Sequence, residues 1–257
     1  MTRDVAGAWE RFGRDDPYFG VLNAPRFHAA SEPGPIRDEF FASGETHVDA
    51  LFATIRSELV PGFEPHRALD FGCGVGRVLL PIAHRAHEVL GVDISPSMLA
   101  EARRNCGDGG VRNVTLATPD RLEREAPTFD FIHSYIVFQH IPQKAGLRNM
   151  RRLLELLAPD GVGALHLVYE SRLPRWQRFV HWVRKHAPLA HVGMNVLQGR
   201  ALASPLMQMN PYDLNAVFAL LQEHDCHRVT VRFSDHGGWL GVLLVFQRRA
   251  QLDRRVS

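Results

Sequence analysis

The sequence predicts a three-layer α/β fold, with a mostly parallel seven-stranded sheet that ends in an antiparallel hairpin. Three observations carry that reading. Short, nearly continuous apolar runs alternate with helical segments through the middle of the chain. A glycine-rich turn, Gly72-Cys73-Gly74-Val75-Gly76, lies directly between one such run and the next helix. The last two apolar runs are joined by Ser-Asp-His-Gly-Gly, a hairpin signal. At 257 residues, with 45% hydrophobic and 23% charged side chains, the chain has the size and balance of one large α/β domain. Disorder and collagen-like repeats are excluded. We expect a single domain over 1–257, made of an N-terminal cap segment (1–45), a core (46–170), an insert after the fifth strand (171–210), and a closing helix and hairpin (211–247).

Taken in order, residues 1–45 read as irregular, because Pro17, Pro25, Pro33 and Pro35 interrupt them. Their aromatics, Trp9, Phe12, Tyr18, Phe19, Phe27, Phe40 and Phe41, predict packing onto the domain, with Tyr18 and Phe19 forming one wall of a pocket. Val48, Leu51, Phe52, Ile55 and Leu59 recur at helical spacing and predict a helix over 45–59, ended by Pro61-Gly62. Strands follow at Arg67–Phe71, Glu88–Val92, Val114–Ala117, Phe129–Ser134 and Gly163–Tyr169. Between them, helices are predicted at Val75–Arg85, at Pro96–Asn105 with Ser95 as N-cap, and at Lys144–Leu157. Asn210-Pro211 reads as the start of a helix reaching about Glu223, followed by hairpin strands at His227–Phe233 and Trp239–Phe246.

Charge is informative by position. The net charge of +2 predicts no general affinity for nucleic acid, and no DNA partner. Yet the window from Ser171 to Tyr212 holds Arg172, Arg175, Arg178, Arg184, Lys185 and Arg200 without one Asp or Glu. Such a segment suits a cap over a pocket, an oligomer surface, or a contact with an anionic partner; 172–186 is the stretch that would touch a membrane surface. The longest apolar run, Leu240–Phe246, is far too short to span a bilayer, and from the charged start no signal peptide is expected. Three cysteines, Cys73, Cys106 and Cys226, are too few for a disulfide scaffold and predict a reducing, cytoplasmic setting.

Glycines between a strand and a helix let a ligand approach backbone N–H groups at the helix N-terminus. Asp93 ends the second strand, where a carboxylate can accept from both hydroxyls of an adenosyl ribose. Asp120 follows the third strand at the same end of the sheet. A dinucleotide fingerprint would need glycine at 77, where arginine stands, and the Gly-Lys-Ser/Thr ending of a phosphate loop is absent. The run Asp70-x-Gly-x-Gly-x-Gly, then Gly91-Val-Asp-Ile-Ser-Pro-x-Met-Leu, then Asp120, resembles the class I S-adenosylmethionine-dependent methyltransferases over residues 45–170. The resemblance implies a Rossmann-like fold and the cofactor S-adenosylmethionine. It implies that Gly72, Gly74 and Gly76 pass beneath the methionine part, with Cys73 a small spacer among them. Asp70 would act near the ammonium, Asp93 would hold the ribose, and Ile94 would pack on adenine. Asp120 and the Arg121 backbone would meet the adenine amino group, and Ser134 would lie beside the methionyl chain.

Two histidines are candidates for a general base, which a hydroxyl acceptor requires and a carboxylate does not. His140 follows the fourth strand, and His236 lies in the hairpin turn. The pairs His84/His87 and His224/His227 lack the companions of a zinc motif, so no metal is expected. The expectation is methyl transfer to O, N or C of a small molecule such as a carbohydrate, lipid precursor or specialised metabolite. An RNA methyltransferase using the basic insert and a non-catalytic S-adenosylmethionine-binding protein are the alternatives.

Overall fold

Apolar runs with few polar interruptions become the central strands. The computed structural model describes residues 5–124, 129–174, 176, 183 and 207–249. Its sheet contains β1 (Arg67–Phe71), β2 (Glu88–Val92), β3 (Val114–Ala117), β4 (Phe129–Ser134), β5 (Leu157–Ser171), β6 (Arg228–Asp235) and β7 (Trp239–Gln247). The order is β3-β2-β1-β4-β5-β7-β6. β3 through β5 run parallel, whereas β7 pairs antiparallel with both β5 and β6. The chain builds outward from β1 to β3, then returns to β4 on the other side. That reversal opens a crevice at the carboxyl ends of β1 and β4, where ligands bind in sheets of this kind.

Alternation within the strands supplies two cores. On one face Ala68, Phe131, Ala164 and Val245 are buried with Val48, Leu51, Phe52 and Ile55 of α3 (Pro35–Glu58). On the other, Leu69, Ile132, Leu165 and Leu244 meet α6 (Gln143–Leu156) and α7 (Leu214–Glu223). Ser95 caps α5 (Pro96–Asp108) by accepting the Met98 N–H at 3.1 Å. The seventh helix starts later than expected: Asp213 is its N-cap, accepting the Asn215 N–H, while Asn210 bonds the Gln139 carbonyl. The strand before the insert is longer than its apolar stretch, because β7 pairs with it as far as Ser171.

The N-terminal expectation is corrected. Residues 5–58 are largely helical, with α1 (Val5–Asp15), α2 (Pro17–Val21), a 3-10 turn (Pro25–Ala29) and α3. Pro17 and Pro35 sit in the first turns of their helices, where a missing N–H costs nothing. The helix expected from 45 begins at Pro35, and α3 runs straight through Gly44. A Cβ there would lie 2.0 Å from the Arg77 carbonyl oxygen, so the helix needs glycine to approach the turn after β1. The helix expected over 75–85 shortens to α4 (Leu79–Ala83), since Gly76 has φ +95° and cannot be helical. Tyr18 is not a pocket wall. It is sealed against Phe27, Phe40, Val75 and Met98, and its hydroxyl donates to Glu101 at 2.7 Å.

Most of the basic insert, including Arg175, Arg178, Arg184, Lys185 and Arg200, lies outside the described residues, as do the ideas attached to it. Among the described residues no helix is long and apolar enough to cross a membrane.

Gly44→Ala tests the closest contact between α3 and the turn. Alanine is worth about 1 kcal/mol over glycine in an exposed helix. Here the contact atom is backbone and cannot move aside, so we expect a net loss of about 2 kcal/mol. Urea denaturation should show a lower midpoint with an unchanged slope.

Candidate active site

The turn after β1 is held from two sides. The N–H groups of Gly72 and Cys73 both donate to the Val92 carbonyl, at 2.7 and 3.0 Å, which ties the turn to the end of β2. Asp93 then closes it: one carboxylate oxygen accepts the Gly74 N–H at 2.9 Å and the other the Ser95 N–H at 2.9 Å. Gly72 and Gly74 have φ of +80° and +53°. Added Cβ atoms there would meet Val137 at 2.3 Å and Val21 at 2.8 Å. Glycine is therefore required by backbone conformation and by close approach together. Burial outweighs the two hydrogen bonds to Asp93 and pushes its carboxyl up to about 6. Ile94 beside it stays exposed at 41%, an apolar surface free to receive a flat ring.

The other cofactor-binding candidates fall at the same end of the sheet. Asp70 is buried in β1 and bonded to His133. Ser134 donates to the Phe71 carbonyl at 2.8 Å, fastening the ends of β4 and β1. The Asp93 N–H reaches the Ala117 carbonyl, which brings the end of β3 alongside. Asp120 is exposed, accepts from Thr118 and pairs with Arg124, and the Thr118 bond holds its carboxyl below the usual range. The Arg121 N–H is taken by the Thr118 carbonyl. The Arg121 side chain lines a surface hollow with Arg67, Glu88 and Thr115, toward the amino ends of the strands and away from the crevice. Cys73 is buried, and burial raises its thiol well above the ordinary value, so it is no nucleophile.

His140 lies on a 3-10 turn (Phe138–His140) that the segment 208–212 clamps. The Asn210 N–H donates to Gln139, and the Tyr212 hydroxyl reaches the Phe138 and Ile141 carbonyls. His140 Nδ1 lies 2.8 Å from the Gln208 carbonyl, which assigns the hydrogen to Nδ1 and leaves the Nε2 lone pair available. Burial pushes the ring down to about 4, so it is neutral at pH 7. Trp9 of α1 packs edge-on against it at 5.0 Å. His236 is separate from this turn: exposed in the hairpin, it stands edge-on to His166 at 5.1 Å.

A family model described as a methyltransferase domain matches residues 68–161. That stretch covers β1 through the start of β5 and carries the turn and Asp93. Residues 68–161 are thus similar to a methyltransferase domain. A trans-aconitate 2-methyltransferase of Methylobacterium radiotolerans is 38% identical over 162 residues, 61% of this chain and 58% of the relative. An aklanonic acid methyltransferase of Streptomyces sp. strain C5 is 33% identical over 121 residues, 45% of this chain and 48% of the relative. The chain thus spans about half the length of these curated relatives. Among solved structures, a magnesium protoporphyrin IX methyltransferase from Synechocystis PCC 6803 with bound SAH superposes with a TM-score of 0.58 at 18% identity, over 90% of this chain and 96% of that one. At that identity the likeness establishes the fold.

The sheet also carries polar groups that no motif announced. His47 of α3, Arg77, His133, Tyr135 and His166 gather on the α3 side of β1, β4 and β5. His47 lies 3.9 Å from Tyr135 ring to ring, Tyr135 meets His166 at 5.1 Å, and the Arg77 guanidinium lies over Tyr135 at 5.8 Å. Arg77 Nε and His166 Nδ1 are sealed without a hydrogen-bond partner among the described residues. Their one sequence signal was a histidine inside each of two apolar strands. Among the described residues no group of three or more His, Cys, Asp or Glu could hold a metal.

The raised Asp93 gives a pH signature. Its folded value of about 6 exceeds the unfolded value near 4, so its stabilising contribution is full below pH 4 and is lost as pH rises through 6. The stability of the native chain relative to Asp93→Asn should therefore fall between pH 4 and pH 7, as read from urea midpoints.

Proposed function

We propose that the chain is an S-adenosylmethionine-dependent methyltransferase acting on a small-molecule acceptor. The observation that carries the reading is the glycine turn locked by Asp93 at the carboxyl end of β1, inside a domain that matches methyltransferases by sequence. Two of the curated relatives are named for organic acids, aklanonic acid and trans-aconitate, which favours an acceptor of that class. Residues 46–170 serve as the cofactor-binding core and 1–45 as its cap. The three free, buried cysteines suit a cytoplasmic setting.

The residues present fit the cofactor. Gly72, Gly74 and Gly76 keep side chains out of the turn, Asp93 offers a carboxylate to ribose hydroxyls, and Ile94 offers an apolar face to adenine. Asp70 supplies a negative charge for the ammonium. Asp120 and the Arg121 backbone complete the adenine end, and Ser134 lies beside the methionyl chain. When bound, S-adenosylmethionine supplies a methyl group already activated on a sulfonium, so the protein contributes alignment and exclusion of water. Val21, lying against Gly74, and Trp9, lying against His140, exclude water from the crevice. For a hydroxyl acceptor, His140 Nε2 takes the proton that leaves as oxygen gains the methyl group. His236 is the second candidate base, at the hairpin side.

Calorimetric titration with S-adenosylhomocysteine should show binding near the micromolar range. Because hydroxyls donate to an ionised carboxylate, affinity should fall as pH drops below about 6, and Asp93→Asn should bind more weakly with a flatter pH dependence. Incubation with methyl-labelled cofactor and fractionated cell extract should place the label in small metabolites. Label in RNA favours the RNA acceptor, and none in any fraction favours a binding protein. In that assay His140→Gln should lower turnover by roughly 10²–10⁴ while leaving S-adenosylhomocysteine affinity within about threefold. A rate near that of the parent makes His140 a packing residue and favours an acceptor that needs no base.

A further inference from the structure

We propose that His133, backed by His47, is the positioning residue that aims the Asp70 carboxylate at the cationic amino-acid end of the cofactor, an inference that rests on the cofactor reading above. Asp70 is 2% exposed and His133 is fully buried. The parallel register sets Asp70 of β1 directly beside His133 of β4, on the face that α3 covers. His133 Nδ1 lies 2.8 Å from Asp70 Oδ1, and His133 Nε2 lies 3.1 Å from His47 Nε2.

The two contacts form one chain. An ionised carboxylate only accepts, so His133 Nδ1 donates to Asp70. The His133 Nε2 and His47 Nε2 atoms share the second hydrogen bond of the chain. Burial, reinforced by His133, Arg77 and His166, pushes His47 down to about 2, so it joins the chain without bringing a charge into the cluster. Its ring is held in turn against Tyr135. The Asp70 carboxylate is thus gripped by one oxygen. Its other oxygen takes no hydrogen bond from a described residue and is not among the polar atoms sealed from solvent. A terminal carboxylate is a soft two-fold rotor, and tying one oxygen into a buried chain presents the other in a single orientation.

The test compares two ligands on the full chain by calorimetry: S-adenosylhomocysteine, and 5′-methylthioadenosine, which keeps the adenosine and lacks the amino-acid end. His133→Leu should weaken S-adenosylhomocysteine about tenfold, the worth of one charge-assisted hydrogen bond, and leave 5′-methylthioadenosine within about twofold. His133→Asn, whose amide N–H can replace Nδ1–H, should restore S-adenosylhomocysteine to within about threefold of the parent. Should His133→Leu fail to fold, His47→Phe decides. It keeps a ring against Tyr135, removes the ring nitrogen bonded to His133, and should weaken S-adenosylhomocysteine about threefold with 5′-methylthioadenosine unchanged. Equal loss of both ligands, or undiminished S-adenosylhomocysteine binding in a folded variant, overturns the proposal and leaves His133 a packing residue. A parent chain that binds neither ligand overturns the cofactor reading itself, and this inference with it.

Discussion

One carboxylate organises the crevice. Asp93 accepts the Gly74 N–H with one oxygen and the Ser95 N–H with the other, so a single side chain joins the glycine turn to the start of α5. The turn has glycines at positive φ and would otherwise be free to take several conformations. With the Val92 carbonyl gripping Gly72 and Cys73 from beneath, it has one. The same carboxylate is the group that would meet the ribose, and its burial cost appears as the raised pKa. Structural lock and ligand contact are therefore the same atoms, an arrangement in which binding and local order rise and fall together.

The N-terminal helices extend this lock outward. Glu10 of α1 accepts from the Ser95 hydroxyl at 2.7 Å and from the Ser97 N–H at 3.1 Å, placing a negative charge at the N-terminus of α5. Gly13 packs so closely that a Cβ would lie 2.5 Å from the Ser95 hydroxyl. Trp9, on the same helix, reaches His140 beyond β4. Helix α1 thus bridges the two sides of the crevice, from the end of β2 to the turn after β4. Tyr18 anchors α2 to α5 through Glu101 and Asn105, which leaves Val21 over Gly74. The cap belongs to the site rather than to the periphery.

What the sequence made legible follows from the range of the interactions involved. Strands such as Arg67–Phe71 and Glu88–Val92 are defined by their own apolar residues, and their bounds agree to the residue. The Ser95-Pro96 cap is local chemistry and was equally readable. Helix α3 begins ahead of the stretch read from its periodicity because Pro35 opens the helix instead of interrupting it, and the approach of Gly44 to the Arg77 carbonyl, distant in sequence, has no local signal. Asn210-Pro211 reads as a helix start because the Asn210 partner, Gln139, is invisible at short range. The glycine turn and Asp93 were legible as a spaced motif. Asp70 and His133, 63 residues apart, meet only through strand register, and His47 joins them from another element, so that network had no local signal.

Hydrogen–deuterium exchange of the full chain, with and without saturating S-adenosylhomocysteine, measures the central claim most directly. The account predicts slowed exchange confined to the glycine turn at 72–76, the segment 93–98 after β2 and the cap residues 9–21 that lie over them. Protection absent from 72–76 and 93–98, or found instead at the amino ends of β1–β3, would contradict it.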